Sequence, residues 1–117
     1  MAETIGARGE TLAAQYLERQ GFVIIERNAR IGHKEVDIIA RDGDTVVFVE
    51  VKTRTGDSHG TAAEAVTDHK LSNVVTALEV YLLRHPNIVT ARIDVIAIMV
   101  TSIGKATLRH YRNVSIN

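Results

Sequence analysis

Cysteine and tryptophan are absent from this 117-residue chain, proline occurs once, and neither sign of charge is in excess. Without cysteine there is no disulfide, no cysteine-held zinc and no iron–sulfur cluster. No stretch reaches the roughly 18 consecutive apolar residues of a membrane span, and the opening MAETIGARGE lacks the basic-then-apolar order of a signal peptide. A cytoplasmic protein with no membrane partner is expected. The 14 Lys and Arg balance 14 Asp and Glu, so the total charge offers no general attraction to nucleic acid, and composition alone argues against DNA binding. Internal repeats, low-complexity runs and Gly/Ser/Pro-rich linkers are also missing, which predicts one domain over residues 1–117.

What is present is a sequence of amphipathic elements. From about Glu3 to Gln20, Leu12, Ala13, Ala14 and Leu17 recur at helical spacing, with Gly21 where a helix end favours a left-handed residue. Phe22 to Glu26 reads as a short strand, followed by a polar, basic connection from Arg27 to Lys34. Residues 35–54 hold two β-branched runs around Asp42-Gly43-Asp44, a hairpin signal. Asp57 to Gly60 reads as loop, and Thr61 and Glu64 have capping-box spacing but equally suit a loop. A helix follows from Thr67, with Leu71, Val74, Val75, Leu78 and Leu82 on one stripe, ending before Pro86. Residues 92–100 are apolar on both alternations and predict a central strand, and Gly104 turns the chain into a last strand near Thr107 to Arg112. The fold class is α/β, a mixed sheet flanked by helices.

Charge interrupts this apolar pattern at four positions. Val47, Val49 and Val51 share one face of their strand, so Phe48, Glu50 and Lys52 share the other. A two-residue turn at Asp42-Gly43 would put Asp37 opposite Phe48 and diagonal to Glu50, about 7 to 8 Å away and within common reach of one cation. A three-residue turn with a bulge would change that register. Glu10 lies on the inward stripe of the first helix. Crowded, half-buried carboxylates stay ionised only when a cation joins them. An all-oxygen donor set suits Mg²⁺ or Mn²⁺, which beside an amine can support phosphodiester hydrolysis. The plainer reading makes Glu50 and Lys52 a solvated ion pair and Asp37 a turn residue. It accounts for each residue singly, but not for charges on the most apolar strand together with an inward Glu10.

Asp37 followed by Glu50-Val51-Lys52 on the next strand resembles the PD-(D/E)XK nuclease superfamily, whose motif is an acid and then Glu-X-Lys on paired strands. A helical acid such as Glu10 is typical of its Holliday-junction-resolvase-like branch. More closely, Gly6, Gly9, Glu10 and Ala13, then Asn28 and Arg30, residues 35–39, residues 47–54, Lys70 and residues 92–95 are similar to the small bacterial YraN-like family over nearly the whole chain. Val36 stands where the superfamily commonly has proline, and Ala29 where the close family frequently has an aromatic residue. The resemblance implies a restriction-endonuclease-like αβββαβ core. It also implies that Asp37, Glu50, the Val51 carbonyl and Glu10 hold Mg²⁺ or Mn²⁺, while Lys52 serves the attacking water. DNA would be the partner, with Arg30, Arg54 and Lys70 on its phosphates, and the junction-cutting relatives suggest a homodimer. A non-catalytic nucleic-acid-binding or adaptor domain that keeps the nuclease fold is the alternative.

The remaining polar residues have plainer expectations. Arg54 fits either a phosphate contact or a solvated strand end. Lys70 sits in a first helical turn, where the dipole disfavours a cation and hints at a role facing the site, although a solvent-exposed lysine is the commoner reading. Asp94 beside Arg92 in a buried strand suggests an internal salt bridge or a hydrogen-bonded acid. His33, His59, His69, His85 and His110 show no ligand spacing and read as surface or capping residues. Gly6 and Gly9 allow the first helix to approach a strand. Lys105, Arg109 and Arg112 form a modest basic tail. If Glu10, Asp37 and Glu50 are ligands, 14 basic residues face 11 other acids, and the surface a phosphodiester meets is positive once the ion is bound.

Overall fold

The structure, a computed structural model, describes residues 4–56, 68–101 and 103–114. The expected loop at 57–60, the capping box of Thr61 and Glu64, and the side chains of His59 and His69 lie outside the described residues. The elements are α1 (Ile5–Arg19), β1 (Val23–Ile31), β2 (Lys34–Asp42), β3 (Thr45–Thr55), α2 (Asp68–Arg84), β4 (Thr90–Val100) and β5 (Ala106–Tyr111). They form one open five-stranded sheet in the order β1-β2-β3-β4-β5. Only β3 and β4 run parallel, joined through α2, and the other neighbours are antiparallel. This is the expected mixed α/β sheet, compatible with an αβββαβ core.

Local chemistry sets the element ends. Thr4 caps α1 by accepting a hydrogen bond from the Ala7 N–H at 3.1 Å. At the other end Gly21 adopts φ +93°, and the Gly21 and Phe22 N–H groups donate back to Glu18 and Leu17 carbonyls, the Schellman arrangement that its position predicts. Beyond it, Phe22 is buried. The first strand is longer than the sequence suggests, because the supposed connection from Arg27 is its second half. Gly32 and His33 form a tight turn with Ile31 paired to Lys34. An edge strand that is mostly exposed carries little apolar periodicity, which hid this hairpin.

The β2–β3 turn also moves. Asp42 pairs with Thr45, so Gly43 and Asp44 are the turn residues, and Gly43 takes φ +59° at the first central position, as a type II′ turn requires. Moving a two-residue turn by one position shifts the register by two, which keeps every side chain on its expected face.

Each face of the sheet is covered by one helix. Ala13, Ala14 and Leu17 of α1 pack on Ile38, Val49 and Ile96, while Leu71, Val74 and Ala77 of α2 pack on Ile39, Phe48 and Val95. Leu82, expected on the packed stripe, is outside that buried cluster, and Ala77 takes a place in it. Ile93 to Val100 are all buried, as a strand covered on both faces should be. Gly9 is required where α1 crosses β3, since a methyl group there would overlap the Thr53 side chain, whereas Gly6 has open space. Among the described residues no helix is long and apolar enough to cross a membrane.

Candidate functional site

The β2–β3 ladder ends at Ile38 paired with Val49, so one further step puts Asp37 opposite Glu50. The sequence-based register had these acids diagonal, and the two-residue shift makes them direct neighbours. Here the strands fork, and a side chain replaces the ladder: the Val51 N–H donates to Asp37 Oδ2 at 2.8 Å.

The fork has a second cause in β1. Arg27 pairs with Ile38 and Ala29 with Val36, leaving Asn28 opposite Asp37. Asn28 is left-handed, φ +51°, a conformation that asparagine tolerates better than most residues. Facing reverses across it, because Arg27 donates to Thr11 of α1 at 3.0 Å whereas Ala29 is buried in the α2-side cluster. On β2, Ile38 belongs to the α1-side cluster and Val36 to the α2-side one. Asp37 therefore lies where the sheet changes hands. Ala29 is fully buried there.

Glu50 is the most frustrated acid of the site. It is 2 % exposed, and Lys70 Nζ of α2 reaches its Oε1 at 3.2 Å. Burial first, and the Asp37 charge second, push its carboxyl up to about 7 against the pull of Lys70. Asp37 is also raised, chiefly by burial and in spite of the Val51 N–H and Lys70. The nearby Glu50 carboxylate raises Lys70 in turn.

Glu10 approaches from the α1 side. Burial and then the Asp37 charge raise its carboxyl, partly offset by Arg27, and its Oε1 is buried without a hydrogen-bond partner. The four acids Glu10, Asp37, Glu50 and Glu35 thus share one electrostatic neighbourhood. Among the described residues, no three Asp, Glu, His or Cys side chains converge tightly enough to hold an ion by themselves. A hard divalent ion needs only one or two carboxylates and keeps several waters. The Asp37–Glu50 pair with an orphaned carboxylate oxygen nearby fits that requirement.

The other expected site residues are distributed unevenly. Lys52 is half-buried and shares the Glu50 face by alternation, about 7 Å further along β3. Arg30 is exposed opposite Glu35, and Arg54 lies opposite Met99 near the end of β3. Sequence reasoning missed Glu35, Arg27 and Asn28, because their positions fell in the presumed connection or received no separate weight. It also missed a cleft of about 190 Å³ between the Gly32-His33 turn and α2, lined by His33, Lys34, Glu35, Lys70, Asn73 and Val74. There Lys34 Nζ donates to Asn73 Oδ1 at 2.9 Å. A larger, mostly apolar cleft of about 670 Å³ lies toward the β2–β3 turn, lined in part by Ile25, Val46, Tyr81 and Ile88, away from the acids.

A second charged group occupies the α1 face. Asp94 is fully buried and accepts from Arg92 Nε at 3.0 Å and from the Asn113 N–H at 2.9 Å, with His110 Nε2 at 2.7 Å from its Oδ2. The internal salt bridge expected of Arg92 and Asp94 is present. His110 corrects its surface assignment: its side chain is 5 % exposed, and its Nδ1 meets the Tyr16 hydroxyl at 3.0 Å. A histidine in a half-exposed edge strand looks solvated in sequence; here the rings of Tyr16 and Phe22 lie 5.5 and 6.0 Å from its own. Arg112 of the supposed basic tail lies 3.7 Å from Asp42. His85 behaves as expected, its ring against the Tyr81 carbonyl near the end of α2.

Residues 9–98 match the family model described as "Uncharacterised protein family UPF0102". A UPF0102 protein of Chlorobaculum parvum is 46% identical over 109 residues, covering 92% of this chain and 84% of the relative. One from Beutenbergia cavernae is 42% identical over 113 residues, 96% of both chains. One from Geobacter sulfurreducens is 47% identical over 110 residues, 93% of this chain and 86% of the relative.

Proposed function

The chain belongs to the UPF0102, or YraN-like, family, and we propose that it is a metal-dependent nuclease that hydrolyses DNA phosphodiesters in the cytoplasm, with branched or repair intermediates as substrates. On this reading it is a member of the PD-(D/E)XK superfamily. The observation that carries the proposal is the Asp37–Glu50 pair at the strand fork, Glu50 buried and Asp37 half-buried, with Lys52 on the Glu50 face.

Asp37, Glu50 and the Val51 carbonyl would hold Mg²⁺ or Mn²⁺, with Glu10 contributing its unpartnered oxygen. When bound, the ion supplies a Lewis acid for a phosphoryl oxygen and acidifies a coordinated water. The chain's own residues do the positioning. The Val51 N–H fixes Asp37 through one oxygen, Oδ2, at 2.8 Å. Lys52 supplies an ammonium to orient the attacking water and to offset negative charge developing on the phosphoryl group. Arg30, Arg54 and Lys70 supply cations for flanking phosphates. A C2 homodimer would present two such sites to a two-fold junction.

Incubation with plasmid, single-stranded and four-way-junction DNA in Mg²⁺ or Mn²⁺ tests the reading. Metal-dependent cleavage that is lost in Glu50→Ala and Lys52→Ala supports it, and no cleavage of any substrate removes it. A second reading, nucleic-acid binding without turnover, is favoured by the absence of a preassembled three-acid group among the described residues. It requires junction or duplex binding that Asp37→Ala leaves unchanged.

A further inference from the structure

A lysine from α2 occupies the position that a metal's charge would otherwise fill. Lys70 is half-exposed, its side chain 52 % accessible, yet its ammonium reaches 3.2 Å from an oxygen of a carboxylate that is 2 % exposed. A long side chain loses rotamer freedom when its tip is held at a buried oxygen. It is held there because Glu50 and Asp37 would otherwise stand together with no compensating charge. One monovalent ammonium, 3.2 Å from Glu50 Oε1, brings a single positive charge to the pair, whereas a divalent ion would neutralise both acids.

From this geometry we propose that Lys70 is a built-in competitor for the metal: its ammonium holds Glu50 before the ion arrives, and the ion must displace it to bind. The proposal rests on the metal-site reading given above and adds to it the regulation of that site. Lys70 also lines the 190 Å³ cleft beside the acids, together with His33, Lys34, Glu35 and Asn73. A displaced side chain therefore has a polar space beside it to enter. With Lys34 already lining that cleft, a displaced Lys70 would bring a second ammonium into it, and the two offer charge to a substrate phosphate alongside Glu35. A cation that leaves Glu50 only when the ion arrives couples loading of the metal to completion of the phosphate-facing surface.

Competition makes a prediction opposite to that for an ordinary supporting residue. Deleting a residue that merely shapes the site weakens metal binding, whereas deleting a competitor tightens it, because the ion then displaces no ammonium and meets no like charge nearby. Calorimetric titration of the full chain with Mn²⁺ at pH 8 tests this in wild type, Lys70→Met and Lys70→Gln, with Glu50→Gln as the reference that lacks the shared ligand. Tighter binding in both Lys70 variants, on the order of ten-fold, supports competition. Thermal melting supplies a second readout that does not depend on catalysis. The Lys70 variants should melt lower than wild type without metal and regain most of the difference in saturating Mn²⁺. Unchanged or weaker Mn²⁺ binding in the Lys70 variants overturns the competitor role and leaves the metal site standing. No specific heat in wild type or in either variant overturns the site itself, and the competitor role with it.

Discussion

Two buried acids on neighbouring strands meet opposite fates in this fold. Asp94 and Glu50 are both nearly inaccessible, at 0 % and 2 %, on β4 and β3. Burial pushes the Asp94 carboxyl up, but His110, Arg92 and the Asn113 N–H together outweigh it, and the net shift is downward. Glu50 has one lysine for compensation and a second acid beside it, and its carboxyl rises to about 7. Arg92 extends the satisfied group to Asp42 at 3.0 Å and stacks over Phe22. The difference separates a structural acid from one poised for another occupant: a complete set of donors fixes the charge of Asp94, whereas the Glu50 site is short of positive charge.

The largest expected effect breaks the satisfied side. Asp94→Ala leaves Arg92 and His110 without their buried acceptor and should cost about 3 to 5 kcal/mol in denaturant unfolding. It should leave the Mn²⁺ affinity of the folded fraction near wild type, because the network lies on the α1 face of the sheet.

Next in size is the pH response, which should have opposite sign in the two regions. A carboxyl with a higher pKa folded than unfolded holds its proton more tightly in the native state. The stability from Glu50 is therefore complete below its ordinary value of 4.5 and is lost as pH rises through about 7, by on the order of 3 kcal/mol at most. Asp94 behaves conversely: its contribution is present above 3.8 and is lost as pH falls through its depressed value. Metal-free protein should accordingly melt lower at pH 8 than at pH 5, and the difference should shrink in Glu50→Gln. Added Mn²⁺ should raise the melting temperature at pH 8 and have little effect at pH 5.

Smaller still is the effect of Glu50→Gln on the metal-free protein at pH 8. Removing an under-compensated charge should leave stability within about 1 kcal/mol of wild type or raise it, in contrast to Asp94→Ala. A cost as large as that of Asp94→Ala would mean that Glu50 is as well satisfied as its neighbour. The smallest change belongs to Glu10→Gln, whose half-buried position predicts a shift of a few tenths of a kcal/mol. Its signature is reduced Mn²⁺ affinity with the melting curve almost unchanged.

Much of this comparison could be read before any coordinates. Alternation along residues 47–52 put Glu50 and Lys52 on one face, and the stripe of Ala13, Ala14 and Leu17 turned Glu10 inward. The double apolar alternation of residues 92–100 named the central strand, and Gly21 marked the end of α1. Other parts depended on groups distant in sequence. The β2–β3 register was off by two because both Asp42-Gly43 and Gly43-Asp44 are acceptable turns, and the face assignment survived only because the error was even. The β1–β2 hairpin went unseen because an exposed edge strand has little apolar pattern. His110 was misplaced because its burial depends on Tyr16, 94 residues away.

By itself the sequence determined which side chains share a face and which acids interrupt the core, since those follow from the two- and 3.6-residue periods of the backbone. Tertiary structure alone decided which acids are satisfied. Asp94 gathers its donors from β4, β5 and the residues after β5, while Lys70 crosses from α2 to Glu50, and Asn28 on an edge strand turns the sheet at Asp37. Electrostatic compensation depends on distances of a few ångströms between residues far apart in the chain, and no local pattern encodes them.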